Sequence, residues 1–404
     1  MIARNKLADL WLVLAILVLL GVGLLSNFST SHAEGSGLYH FQRQLFWIGI
    51  GSAIALTILS LPLRFFEMLA YIFYGVSVIS LMLVLAIGAT HKGATSWFEF
   101  GAVQIQPSEF AKVATLLALA RLFAENQKDL DKLWLFAAAC AMTVVPMALI
   151  LVQPDLGTAL IYPVMLFVLA AWAGLAPQYI LLMAVPVVAV LTVWSMPLHI
   201  VMLAVLMIIS FLTIRKLPWV AALTGLYLFF GTLTPKLWSR LEPHQQRRIT
   251  TFLDPESDPL GAAYQLIQSK IAVGSGGVLG KGFLHGTQTQ LQFLPEGHND
   301  FIFSAFAEEW GFIGALIVVL AFFVVYYRGI AIASKCHSQF HSLVAIGVVG
   351  AIIFQALTNL LMTVGLLPVT GLPLPLVSYG GSSMLVTLAM VGLLFSAALR
   401  WREY

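Results

Sequence analysis

LPEGHNDFIFSAFAEEWG, residues 294–311, is where a polar stretch turns into a hydrophobic one with an acid at the turning point. That acid is Asp300. Directly behind it, Phe301, Ile302 and Phe303 open an apolar run that reaches about Tyr327, enough residues to cross a bilayer as a helix. The Asp300 carboxylate is therefore expected where membrane meets water, a costly place for an ionisable group and by default a functional one.

Outward from that stretch the chain keeps the same character. Of its 404 residues, 60% are hydrophobic and only 10% charged, with a mean hydropathy of +0.93. Soluble domains carry nearer one quarter charged residues, so the fold class is an all-α polytopic membrane protein. Lipid offers no partner to an open backbone group, which makes helices the spanning element. Twelve apolar runs read as spans, at about 9–27, 43–61, 67–89, 108–123, 134–152, 156–174, 179–196, 198–214, 218–234, 300–327, 342–366 and 382–399. The seventh to ninth contain or adjoin Pro186, Pro197 and Pro218, which bend or shorten helices. The one long polar interval, about 235–299, is then a loop within a single membrane domain covering 1–404. Inside it, YQLIQSKIAV has Leu266, Ile267 and Ile271 at roughly helical spacing, the pattern of a short interfacial helix.

Charge sets the sidedness. With a cytoplasmic N-terminus, the short inner segments carry Arg4, Lys6, Arg64, Arg121, Lys128, Lys132, Arg215, Lys216, Arg328, Lys335, Arg400 and Arg402, and the short outer ones only Arg43 and Lys92. This asymmetry follows the positive-inside rule, placing both termini in the cytoplasm and the 235–299 loop outside. The first run, followed by Ser31-His32-Ala33, has the look of a signal peptide, but the alternation of the remaining runs fits its retention as an anchor. A net charge of +3 is too small to argue for nucleic acid. Cys140 lies in an apolar run and Cys336 in a predicted inner loop, so no disulfide is expected.

Four polar clusters stand in or beside the spans. In QPSEFAK, 106–112, Glu109 and Lys112 are three apart on one helical face; they are either a buried ion pair holding helices in register or part of a polar cavity that offers a lysine to phosphate. In QPDLGT, 153–158, Asp155 is placed to cap a helix and equally to line such a cavity. RRITTFLDPESDPLG, 247–261, begins with Arg247 and Arg248, which fit headgroup contacts or a diphosphate. TGLPLPLVSYGGSS, 370–383, opens the last span. Its exposed amides suit an anion, while Ser382 or Ser383 as a simple cap is the default. In the span before it, Gln355 and Asn359 are four apart and face the same region.

Other patterns are set aside. GSGGVLGKG, 274–282, lacks Gly at Ser275 and Ser or Thr at Gly282, so it is not a Walker loop, and its glycines read as turns pressed on the membrane surface. Glu296, His298 and Asp300 alternate like metal ligands, but the loop has no further Cys/His cluster. Glu308 and Glu309, two turns below Asp300, read as support for the site.

Taken together and in this order, QPSEFAK, QPDLGT, the run from FLDPESDP through YQLIQSKIAVGSGGVLGKG to LPEGHNDFIF, and GLPLPLVSYGGSS resemble the SEDS family of cell-wall polymerases, the RodA, FtsW and SpoVE group. HGTQTQLQFLPE, 285–296, looks most like the elongation branch, RodA. The resemblance implies a glycosyltransferase that polymerises lipid II into peptidoglycan on the outer face of the bacterial inner membrane. It places the family's catalytic acid, from its H-T-D-F-I-F motif, on Asp300, with Asn299 where Thr is usual. About ten spans are typical of that family, so the stretch 197–234 looks like an inserted helix pair. The implied partners are an undecaprenyl-diphosphate-linked glycan and a class B penicillin-binding protein that crosslinks the strands. For the diphosphate, the candidates are Arg43, Lys112, Arg247, Arg248 and Lys281 with the amides of Gly380 and Gly381. Glu109, Asp155, His298, Ser378 and Ser382 complete the expected substrate site. A divalent cation, Mg or Mn, is compatible with this chemistry. The alternative from another class is a lipid II flippase, since transporters also keep charge inside a bundle. It lacks a visible inverted repeat. A third reading, an inactive scaffold for wall enzymes, leaves Asp300 without a task.

Overall fold

A computed structural model of the chain describes residues 2–33, 38–91, 94–101, 103–240, 246, 250, 252, 254–255, 258, 261, 263–294 and 296–403. Each of the twelve expected runs is a helix. They are α1 (Ile2–Ala33), α2 (Tyr39–Ser60), α3 (Leu63–Ile87), α4 (Pro107–Glu125), α5 (Leu133–Val152), α6 (Leu156–Ala173), α7 (Pro177–Thr192), α8 (Met196–Ile214) and α9 (Leu217–Trp238), and, after two short helices described below, α12 (Ile302–Ala333), α13 (Gln339–Thr363) and α14 (Gly381–Leu399). Among the described residues, ten helices are long and apolar enough to cross a membrane. The expected count of twelve is not reached on that test. The two that fall short are α4, which carries Glu109, Lys112, Arg121 and Glu125, and α7, which has 16 residues.

Helices α13 and α14 run through the middle of the bundle. Leu343, Val348 and Ile352 of α13 and Leu393 and Leu394 of α14 pack in one core with Leu116 and Leu119 of α4 and Ile161 and Leu169 of α6. At the periphery the relation inverts: in α8 only Ser210 is buried, while Ile200, Ile208, Phe211 and Leu212 point outward. Outward apolar side chains suit a lipid solvent that is as apolar as leucine itself. The pair expected as an insertion at 197–234 is α8 and α9. With α7 these helices form a subsidiary unit on a small core of its own, Val185, Ala189, Leu223 and Tyr227.

Connections expected on one side do meet there. Arg400 donates to the carbonyls of Leu59 (2.9 Å) and Ser60 (3.2 Å), and Arg121 to that of Glu67 (2.9 Å). The opposite ends of these helices gather the polar clusters.

Two features lay outside the sequence reading. Between α3 and α4 the chain forms a three-stranded antiparallel sheet, β1 (Ala89–His91), β2 (Ala94–Phe100) and β3 (Val103–Ile105), with Phe98 opposite Ile105 and Glu99 opposite Gln104. At three residues each, β1 and β3 are too short to show alternation, and β2, ATSWFEF, does not alternate apolar with polar residues. Second, α12 is broken at Gly311 (φ 64°, ψ −162°). The glycine stretch fills the break: Lys281 N and Gly282 N donate to the carbonyls of Glu308 (3.1 Å) and Glu309 (3.0 Å), while Phe312 N and Ile313 N donate to those of Gly277 (2.9 Å) and Val278 (3.2 Å). A Cβ on Gly280 would stand 2.1 Å from Glu309 O. These glycines are thus pressed against an interrupted helix, because only a backbone without side chains comes close enough to replace the missing bonds.

Within the long loop, the expected short helix is α10 (Tyr264–Ser275), docked by Leu266, Ser269 and Ala272, and a single turn follows as α11 (Thr287–Gln290). The Ser269 hydroxyl joins Ser304 of α12 (2.6 Å) and the Thr363 carbonyl of α13 (2.6 Å), so this helix is tied to the bundle by polar contacts. Both cysteines are free thiols.

Candidate active site

Asp300 ends a tight turn that enters α12. Asn299 N and Phe301 N both donate to Glu296 O (3.0 and 3.2 Å), and Phe301, fully buried against Leu294, Ala305 and Val369, anchors the residue that follows Asp300. From α13, the Asn359 amide donates to Asp300 O (2.9 Å) and Leu372 O (2.8 Å), joining the turn to the segment before α14. Gly371 lies beside the carboxylate: a Cβ there would stand 3.8 Å from Asp300 Oδ2. Of the two amides expected to face this region, Asn359 makes both contacts.

The same segment holds the turn from its other end. Ser378 Oγ donates to Asn299 O (2.7 Å) while accepting from Leu374 N (2.8 Å), and Tyr379 N donates to His298 O (3.0 Å). The first turns of α2 complete the enclosure. Gln44 Nε2 donates to Ser378 O (3.1 Å), His40 stacks on His298, and the Arg43 guanidinium lies over the Tyr39 ring (5.2 Å). Burial pushes the Tyr379 phenol above its ordinary range, and a hydrogen bond to Arg43 works against that rise. Arg43 thus reaches Tyr379, whose N–H holds His298 two positions before the half-buried Asp300, with Gly380 and Gly381 next in the chain at the start of α14.

The first two clusters meet a few residues away. Asp155 caps α6 and ties it to the chain before α4: Oδ1 accepts from Thr158 N (3.0 Å), as a cap does, and Oδ2 accepts from Gln106 Nε2 (3.0 Å). Gly157 packs on Thr370, where a Cβ would come within 2.4 Å of the carbonyl, so this cluster shares the 370–372 segment with Asp300. Glu109 and Lys112 form an ion pair at 2.8 Å, both almost fully buried. The default reading of Ser382 or Ser383 as a cap is corrected, because Gly380 holds the N-cap position of α14 and no side chain caps the helix. Ser382 Oγ instead accepts from Gln106 N (3.1 Å) and donates to Gln104 O (3.3 Å), stitching α14 to the strand before α4. Gly381 allows the close approach this needs, since a Cβ there would meet the Trp47 ring at 2.6 Å.

Lys281, expected at the diphosphate, instead holds Glu308: Nζ lies 2.7 Å from Glu308 Oε1 and 2.7 Å from Thr287 Oγ1. Its neighbour Glu309 is bonded to Ser29 of α1. Both acids support the loop that leads to Asp300. Arg247 and Arg248 lie outside the described residues. Among the described residues no three His, Cys, Asp or Glu side chains come together as a metal cage. The sequence reading missed His40, Gln44 and Gly371. The signal for the first two was available, since YHFQRQ places His40 and Gln44 four apart on one face of α2.

The family model of FtsW, RodA and SpoVE, described as "Cell cycle protein", matches residues 7–203 and 196–403. The chain belongs to this family. It is 36% identical over 382 residues to the peptidoglycan glycosyltransferase MrdB of Escherichia coli K12, an alignment covering 94% of this chain and 91% of that protein. To the peptidoglycan glycosyltransferase RodA of Treponema pallidum it is 33% identical over 419 residues, 96% of each chain. Among solved structures, a chain from work on the structural coordination of polymerization and crosslinking by a peptidoglycan synthase complex matches with a TM-score of 0.73 and 32% identity, covering 97% of this chain and 98% of that one. The crystal structure of the Rod shape determining protein RodA of Thermus thermophilus matches at 0.64 and 27%, over 97% of both chains. This member of the family is thus a multi-pass, all-α membrane protein related along nearly its whole length to named glycosyltransferases.

Proposed function

We propose that this chain is a peptidoglycan glycosyltransferase that polymerises lipid II into glycan strands during cell elongation, with Asp300 as general base. The 4-hydroxyl of the incoming lipid II sugar loses its proton to the Asp300 carboxylate as its oxygen attacks the anomeric carbon of the growing chain. Undecaprenyl diphosphate leaves, with inversion at that carbon. The observation that carries this reading is the placing of Asp300, half-buried beside Gly371 in a turn fixed from two sides by Asn359 and Ser378. General-base assistance is worth about 10² to 10⁴ in rate. The remainder falls to positioning and to charge placed against the departing diphosphate. Arg43 and the amides at Gly380 and Gly381 are suited to that second task, joined by Arg247 and Arg248 from the outer loop. Asp155, Glu109 and Lys112 brace the wall behind.

Kinship to glycosyltransferases and to a chain of a peptidoglycan synthase complex supports a class B penicillin-binding protein as partner. The charge asymmetry supports residence in the bacterial inner membrane with both termini cytoplasmic and residues 235–299 outside. The test is polymerisation of lipid II by the purified chain in detergent, with and without that partner. Asp300→Asn is expected to abolish strand synthesis while melting like the native protein. A variant that polymerises normally rules out the assignment. Synthesis in detergent, where no second compartment exists, also separates a polymerase from a flippase.

A further inference from the structure

We infer that His40 is a positioning residue for the transfer reaction, acting through His298. The inference rests on the reading of the Asp300 turn as the active site. His40 belongs to the first turn of α2, and its ring lies face to face on that of His298, with centroids 4.2 Å apart and planes 13° from parallel. The edge of Tyr379 closes on the same ring at 4.9 Å and 74°. His298 is thereby held twice: its carbonyl accepts from Tyr379 N at 3.0 Å, and its imidazole is pinned by a second imidazole. The platform behind it is itself tied down. Gln44, one turn further on, donates to Ser378 O (3.1 Å), and Phe41 N donates to Ser31 Oγ of α1 (3.3 Å).

His298 is two residues from Asp300 in the same turn, and the inference assigns its ring to the substrate side of the base. A stacked ring keeps one orientation, which lets its nitrogen meet a substrate oxygen without first being ordered. Released, the ring would sample its broad two-fold torsion and lose that advantage. Simple aromatic packing would use the same contact for stability alone, and the two roles part in kinetics.

The experiment measures lipid II polymerisation by the full-length protein in detergent for native, His40→Ala, His40→Phe, His298→Ala, His40→Ala with His298→Ala, and Asp300→Asn forms, together with their melting temperatures. His40→Ala is expected to lower kcat about tenfold with KM within about twofold of native and melting unchanged. His40→Phe, which keeps the flat face, recovers most of the rate, and the double variant loses no more than His298→Ala alone. If His40→Ala fails to fold, His40→Leu, which has bulk but no flat face, replaces it. A native kcat in His40→Ala beside a dead Asp300→Asn overturns this inference and leaves the site intact. Equal loss in the Ala and Phe forms overturns it too, since stacking would then not be what His40 supplies. An active Asp300→Asn removes the site itself, and the inference with it.

Discussion

Glu308 has no exposure to solvent, yet every direction around its carboxylate is answered. Oε1 accepts from Lys281 Nζ (2.7 Å), Thr287 Oγ1 (3.2 Å) and Gln288 N (2.9 Å), and Oε2 from Thr289 N (3.2 Å) and Thr289 Oγ1 (3.1 Å). A charge so placed is stable only while its partners remain, and they in turn depend on it. Glu308→Ala is expected to cost about 3 kcal/mol, read as a lowered melting temperature in detergent, because it strands the lysine and two amides together. Lys281→Met should cost clearly less, since the amides and hydroxyls still satisfy the acid. An equal loss in both would mean that the ion pair alone carries the stability. The same logic separates Asp300 from these acids. Its backbone is fixed by neighbours, while the carboxylate is half-buried beside Gly371, as the proposed role of general base requires.

At the scale of the element, α12 is two helices meeting at Gly311. Its first part follows the turn that ends at Asp300 and carries Glu308 near the break, and the 276–282 stretch acts as the splint. Gly311 stands at φ +64°, and a Cβ there would fall 2.3 Å from Gly280 N. Gly311→Ala is therefore expected to destabilise by about 2 kcal/mol through left-handed strain, and by more if the splint is displaced. Hydrogen exchange checks it: the amides of Lys281 and Gly282, which close on Glu308 and Glu309, should lose protection first. Unchanged exchange at these two amides would show that the break tolerates a side chain. The first turns of α2 and the start of α14 meet by the same device, with Gly381 admitting Trp47.

In the whole molecule, the site is built where α2, α12, α13 and the segment before α14 converge, whereas α7, α8 and α9 share a second, smaller core joined to the main one through Tyr179 and Trp219. A polar knot holds that unit together: Thr192 Oγ1 lies 2.8 Å from Tyr227 Oη and 2.9 Å from His199 Nδ1, and the His199 and Tyr227 rings stack at 4.5 Å. Tyr227→Ala opens a cavity in that core and is expected to cost the unit about 3 kcal/mol. Exchange should rise through 177–238, remain native through 339–399, and leave lipid II polymerisation in place. A rise across both regions would show one cooperative body instead.

What was legible in the amino-acid order was everything that lipid dictates locally. An apolar run in a bilayer must become a helix, so the places of the helices followed from composition. So did the acid at 300, since a charge beside such a run stands out against its neighbours. The motifs gave family membership for the same reason, being contiguous. Contacts between distant residues followed no such rule. Gln106 reaches Ser382 across 276 residues and Gln44 reaches Ser378 across 334. Nothing local to either end marks those pairings. The break in α12, the short sheet, the binding of Lys281 to Glu308 and the stacking of His40 on His298 belong to the tertiary structure alone. Each depends on which surfaces the packed helices bring within reach, and hydrophobic pattern, which only separates lipid-facing and buried stretches from polar ones, carries no information about that choice.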